Sequence, residues 1–277
     1  MYPIKAGSYP ADWPRKWPKD FTGCYVLNDN THATLMSTLL VAWQLRGNAK
    51  YLEAAKRGGD FLVTAQMPDP QPAWAQQYDA EMHPSWSRAF EPSAICGRES
   101  QSAMWALLRL AAATGDKKYL APLPRALAYL RKSLLPDGRI ARYYELQTNK
   151  PLYFERGEGG KGFVLTYSDQ KASSNYGWKW DSELDAIEAM GRKIGRGESV
   201  VFPRVEKERW SSPPTEGEIG TILKEQQADG SWPVTDEERG WMRDAGGKKT
   251  RPAGGVIYSL DFVQNVKALS VWLKAKR

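Results

Sequence analysis

Apolar residues recur along this chain at helical spacing, in stretches punctuated by glycine and by capping residues. Met36, Leu39, Leu40 and Trp43 follow the i, i+3, i+4, i+7 rule and predict an amphipathic helix. Ala103, Leu107, Leu110 and Ala111 predict a second. Gly47 and Gly115 stop these helices, and Asn48 and Asp116 are good caps for the next ones. The segments that follow match at an offset of 68 residues: Tyr51 falls on Tyr119, Leu52 on Leu120, Phe61 on Tyr129 and Leu62 on Leu130. Each copy reads as a helical hairpin followed by a short extended piece, Trp74–Asp79 in one and Ile140–Glu145 in the other.

A more degenerate third hairpin uses Leu184, Ile187, Met190 and Ile194, then a helix opened by a Thr215/Glu218 capping box. It ends in the turn Asp229-Gly-Ser-Trp-Pro233. A last helix, roughly Ser259 to Lys274, carries Phe262, Val263, Val266, Leu269 and Leu273. Hairpins recurring at this period cannot bury a face alone and must stack, in an open solenoid or a closed ring. The small number of units and the long, unequal, aromatic-rich loops favour the ring. The expected fold is all-α: one (α/α) toroid over residues 1–277, with about three hairpins and little β-structure.

The loop from Trp74 to Ser100 is far longer than a helix connection requires, and long ordered loops are commonly functional. It places Arg88 among Trp86, Phe90 and Pro92, too apolar a setting for an idle surface arginine. The bland alternative is a structural salt bridge to Glu91 or Glu99. Lys+Arg 39 against Asp+Glu 32 gives a net charge of +7, which favours an anionic partner. Nucleic acid is not indicated, because no helix-turn-helix, zinc-finger or ribonucleoprotein signature is present. Twelve tryptophans suit a sugar partner instead, so an acidic polysaccharide answers both charge and composition. No run of 18 apolar residues is present, which argues against a membrane span, and the first residues show no signal-peptide pattern. Cys24 and Cys96 have no metal-ligand spacing and either pair or stay free.

Acids stand at the starts of the helices: Asp29, Glu99, Asp181 and Asp261. Capping explains an acid at any one of them. On a ring they would converge on one mouth and offer oxygens to a hard cation, with Asp29 favoured because Asn28 and Asn30 flank it. His32 and His83 are isolated, and no metal cluster or nucleophilic triad assembles. Gly157-Glu-Gly-Gly160 lacks the rest of a phosphate loop. Arg142 and Arg156 read equally as surface charges or as ligands for an anion.

The segment SRAFEPSAICGRES (87–100) resembles the one that carries the catalytic arginine in family-10 pectate lyases. WAQQYD (74–79) resembles the tryptophan loop before it. ARYYELQTNKPLYFERGEGG (141–160) is similar to a later segment whose arginines meet galacturonate carboxylates. TYSD (166–169) and NYGW (175–178) follow in the family's order, and YPADWPRKWP (9–18) and NDN (28–30) resemble its Trp-Pro loop and an Asp-bearing helix start. The likeness spans roughly residues 9–195. Residues 216–273 resemble a further family hairpin that normally lies upstream, as in a circularly rearranged relative.

The resemblance implies calcium-assisted β-elimination in polygalacturonate by a secreted or periplasmic, monomeric lyase. Arg88 would be the base. Asp29 and Asp261 would bind calcium. Trp74, Arg142, Asn149, Lys150, Arg156, Tyr167 and Trp178 would bind substrate. An arginine is ordinarily protonated, so a base of this kind implies activity rising toward alkaline pH. Two other readings compete: a glycoside hydrolase using Asp79 and Glu99 as paired carboxylates, and a uronate-binding protein without turnover.

Overall fold

A computed structural model describes residues 5–19, 23–174, 176–202, 214–234, 242–243, 249–250 and 254–276. The chain divides into two compact units, Met1–Phe202 and Pro203–Arg277.

The first unit holds helices α1 (Thr31–Arg46), α2 (Ala49–Ala65), α3 (Gly97–Thr114), α4 (Leu123–Lys132) and α5 (Leu184–Gly195). The expected punctuation is in place. Gly47 and Gly115 take left-handed φ values of 65° and 71°, and each amide closes the helix behind it. Asn48 and Asp116 accept from the amides of Lys50 and Lys118. The two hairpins then diverge. Pro122 and Pro124 interrupt the second copy, so a short 3-10 turn (Lys117–Leu120) precedes the shorter helix α4. Leu62, Leu107, Leu110, Tyr119 and Leu130 are buried in the core between the helices.

The all-α expectation is overturned. Strands β3 (Ala94–Cys96), β5 (Tyr143–Glu145), β6 (Pro151–Arg156) and β7 (Phe163–Thr166) form an antiparallel sheet in that order. Two-stranded pairs join β1 (Tyr25–Val26) to β2 (Gln77–Tyr78) and β4 (Ile140–Ala141) to β8 (Lys179–Trp180). The two extended pieces expected after the hairpins thus hold β2, β4 and β5, and β3 pairs with β5 across a long stretch of chain. Their register sorts side chains by the two-residue period of a strand. Ile95 and Tyr144, which pair directly, face the helical core. Ala94, Cys96, Tyr143, Leu152 and Phe154 face a second cluster with Trp86 and Trp178. The sheet separates these two cores and holds the segments flanking Arg88 and Arg142.

In the second unit, α6 (Glu216–Glu225) and α7 (Ser259–Ala275) form a hairpin, with the Thr215/Glu218 capping box present as expected. Strands β9 (Met242–Arg243) and β10 (Lys249–Thr250) pair antiparallel. The Trp232 indole donates to Ile222 O at 2.7 Å and packs edge-on to Phe262.

That indole repeats a device from the first unit. Trp74 donates to Leu62 O at 2.7 Å after α2, and the Tyr144 hydroxyl donates to Ser133 O at 2.7 Å after α4. The polar tip of a buried aromatic therefore pins each turn to the end of the helix before it.

Candidate functional site

Two repeat-related turns meet at the centre of the site. The Ala75 amide donates to the Tyr78 hydroxyl, and the Ala141 amide donates likewise to Tyr144, so AQQY and ARYY share one turn hydrogen bond. Gln76 O accepts from the Leu27 amide before α1, and Arg142 O accepts from the Gly97 amide at the start of α3, both at 2.9 Å. Gln76 is thus the counterpart of Arg142, and Asp29 that of Glu99. The counterparts then interact. Arg142 Nη2 lies 3.5 Å from Gln76 Oε1, and Arg98 Nη1 lies 3.5 Å from Asp29 Oδ1 and 3.8 Å from Glu99 Oε1.

Arg142 is buried, 3.8 Å from the buried carboxylate of Glu99 and stacked 4.1 Å from the Tyr176 ring centroid. Tyr143 donates to Gln76 Oε1 at 2.7 Å, and its oxygen lies 3.1 Å from that of Tyr176. Tyr176 donates in turn to Glu91 Oε1 at 2.7 Å. Burial, followed by the neighbouring Glu99, pushes the Cys96 thiol well up. It stays neutral and donates to Glu99 Oε2 at 2.5 Å. Buried polar atoms without a hydrogen-bond partner gather on this network: Asn28 Oδ1, Gln76 Nε2, Glu99 Oε1 and Trp180 Nε1. Such atoms are costly in a folded protein.

At the rim, Arg88 Nη2 lies 2.5 Å from Glu91 Oε1, and the Arg88 amide donates to Glu91 Oε2. Asn28 Nδ2 also donates to Glu91, at 3.3 Å. The Glu91 side chain is fully buried, whereas Arg88 is half exposed. Burial alone would raise the Glu91 carboxyl, but the hydrogen bonds from Arg88 and Tyr176 reverse this and hold it at about 2. The same hydrogen bond pushes Arg88 upward. The structural salt bridge weighed for Arg88 is therefore formed, with Glu91 as its partner.

The remaining expected residues separate by environment. Trp74 and Trp178 are buried, with their indole N–H groups donating to Leu62 O and Ser173 O, so they pack the interior. Asn149 holds a left-handed φ of 60° and serves a buried network, donating to Ser133 Oγ at 2.8 Å and accepting from Tyr129. Lys150 lies over Tyr167, whose hydroxyl donates to Glu145 at 2.6 Å. Arg156 lies over Phe163 at the end of β6. Tyr176 of the NYGW motif is in the site, and Asn175 lies outside the described residues. Asp79 accepts from the amides of Glu81 and His83 and sits 3.3 Å from His83 Nδ1. Cys24 and Cys96 are free thiols.

A calcium ion takes six to eight oxygen ligands. Among the described residues, no group of three His, Cys, Asp or Glu side chains is placed to hold a metal. Asp29 is exposed and bridged by Arg98, Glu91 is bonded by Arg88, and Asp261 stands in the first turn of α7 in the other unit. Within the described residues of the first unit, Asp29 and Glu91 are engaged by arginines rather than gathered as ligands for a calcium ion.

Sequence reasoning singled out Arg88, Asp29 and Arg142 but passed over Gln76, Arg98 and Tyr176. Gln76 was within reach, because AQQY and ARYY align once the turns are compared.

No protein-family model and no curated protein matches the chain. Among solved structures, it is similar to an aspartate-to-alanine variant of a family 10 polysaccharide lyase from Cellvibrio cellulosa in complex with trigalacturonic acid. That match has a TM-score of 0.50 and 19% identity, over 62% of this chain and 63% of that one. A second family 10 polysaccharide lyase structure from Cellvibrio cellulosa matches with a TM-score of 0.49 and 19% identity, over 70% and 65%. The chain thus spans 63% and 65% of the length of these two structures. The likeness is one of fold.

Proposed function

We propose that this chain is a lyase that cleaves an acidic polysaccharide of the polygalacturonate type by β-elimination at the Arg88 rim. The observation that carries this reading is the arginine cluster. A half-exposed Arg88, a partly exposed Arg98 and a buried Arg142 are joined through Glu91, Tyr176, Tyr143 and Glu99 into one network on a lyase-like fold.

In such an elimination a base takes the proton α to the uronate carboxylate. The electron pair forms the ring double bond, and the glycosidic oxygen departs and is protonated. The intermediate carries two negative charges on neighbouring oxygens and needs fixed cations beside it. Arg88 and Arg98 supply these in this reading, with no step assigned to calcium. Arg88 is also the proton acceptor in this reading, neutral before the transfer and cationic after it. Its contact with Glu91 keeps it protonated at rest, so it acts as base only after it leaves Glu91 and loses a proton. Activity confined to alkaline pH follows.

The test is incubation of the whole chain with polygalacturonate at alkaline pH, with calcium or with chelator, following absorbance of the unsaturated product. Product in both conditions, lost in Arg88→Ala, supports the reading. Binding without product marks a uronate-binding protein, and new reducing ends without the unsaturated chromophore mark a hydrolase. Either result overturns it.

A further inference from the structure

We infer that Trp17 is a sugar-stacking platform beside Arg88, forming a subsite for one acidic pyranose unit. This rests on the reading above. Residues 13–17 run as a strap across the segment that carries Arg88. Trp13 Nε1 donates to Ser93 O at 2.6 Å, Trp17 Nε1 to Ser87 O at 2.7 Å, and Trp86 Nε1 back to Pro14 O. These bonds set the strap against residues 86–93 and put the Trp17 indole one residue from Arg88.

The two strap tryptophans are used differently. Trp13 packs against both cores and carries the Arg15 guanidinium 4.1 Å from its ring centroid. Trp17 is 39% exposed even though its N–H is already bonded within the protein. With its one polar side-chain atom bonded to Ser87 O, what the indole offers to solvent is apolar ring. Lys16 and Lys19 flank it in the chain and are exposed, as is part of Arg88, whereas the Arg15 guanidinium is taken up by Trp13 and, at 3.3 Å, by Glu145. An exposed ring one residue from Arg88, on a lysine-bearing strap, suits a pyranose whose C–H face stacks while its carboxylate meets a guanidinium. A neutral sugar would use the ring and leave the cations idle. A small anion would use the cations and leave the ring bare.

The test measures binding of galacturonate trimer and of a neutral galactose trimer by calorimetry, with wild type, Trp17→Ala, Trp17→Phe and Arg88→Ala. Phenylalanine keeps a ring and removes the N–H donor to Ser87, so it separates stacking from the integrity of the strap. The expected result is tenfold weaker binding of the acidic trimer in W17A and a change within threefold in W17F. The neutral trimer should bind at least tenfold more weakly than the acidic one to wild type. Unchanged binding in W17A beside a loss in R88A overturns the platform and leaves the lyase reading standing. Equal losses in W17A and W17F overturn it in favour of a purely structural strap. A wild-type protein that binds no acidic trimer overturns both.

Discussion

Arg88 and Glu91 form a short ion pair, Nη2 to Oε1 at 2.5 Å, in which the carboxylate is fully buried and the guanidinium half exposed. The partners stand three positions apart in the chain, and the Arg88 amide bonds the second carboxylate oxygen, so the loop closes on its own acid. The guanidinium at the rim is therefore presented by a carboxylate that also keeps it charged.

Glu91→Gln should move the alkaline limb of the activity profile to lower pH. The hydrogen bond and negative charge of Glu91 push Arg88 upward, so an amide lets the guanidinium lose its proton sooner. Steady-state rates on polygalacturonate across alkaline pH, in wild type and E91Q, measure this. A limb that stays in place would assign Arg88 a cationic role alone.

The same pair sets an acid dependence of stability. The folded Glu91 carboxyl lies at about 2 against an ordinary 4.5, so it is depressed. Its stabilisation is complete above the ordinary value and is lost as pH falls toward the folded one. With Arg88 half exposed, solvent screening reduces the contribution to about 2 kcal/mol. Melting temperatures of wild type and E91Q should differ at neutral pH and converge as pH approaches 2.

Arg142→Met removes a buried cation and leaves the Glu99 carboxylate with Arg98 as its remaining cation. Breaking such a pair costs roughly 3 kcal/mol. Glu99→Gln in the same background should recover a good part of it, with a coupling energy above about 1 kcal/mol. Denaturant unfolding of the two single variants and the double variant gives the cycle.

Gly97→Ala tests how the site is spaced. A methyl group there would lie 2.0 Å from Ile140 Cγ2 and 2.4 Å from the backbone oxygen of Ala141. The isoleucine can rotate, whereas the carbonyl cannot retreat without moving strand β4. Because the Gly97 amide bonds Arg142 O, the strain falls on the arginine turn. A loss of about 2 kcal/mol by thermal melting is expected, together with reduced turnover of polygalacturonate.

Helices, their stops and their caps were legible because those signals act within one turn of chain. Gly47, Asn48, Gly115, Asp116 and the Thr215/Glu218 box needed no distant partner to be read. The strands were legible only in part: the extended pieces Trp74–Asp79 and Ile140–Glu145 hold β2, β4 and β5, but their partners were not readable. Ala94–Cys96 pairs with Tyr143–Glu145 across some fifty residues, and neither segment is long enough to show a period. The tryptophans show the same divide. Trp74 and Trp17 carry the same ring, and only packing decides that one is buried beneath a helix and the other faces water.

By itself, then, the sequence determined the first two hairpins, the basic and tryptophan-rich character, and the segment that carries Arg88, since each follows from local propensity or composition. The expected third hairpin is not formed: its helices α5 and α6 fall in different units. Tertiary structure decided that Glu91 closes on Arg88, that Gln76 and Arg142 meet as counterparts, and that a sheet divides the core. Those outcomes depend on burial and on contacts between distant segments, where the low local dielectric and the loss of water make one partner much better than its rivals.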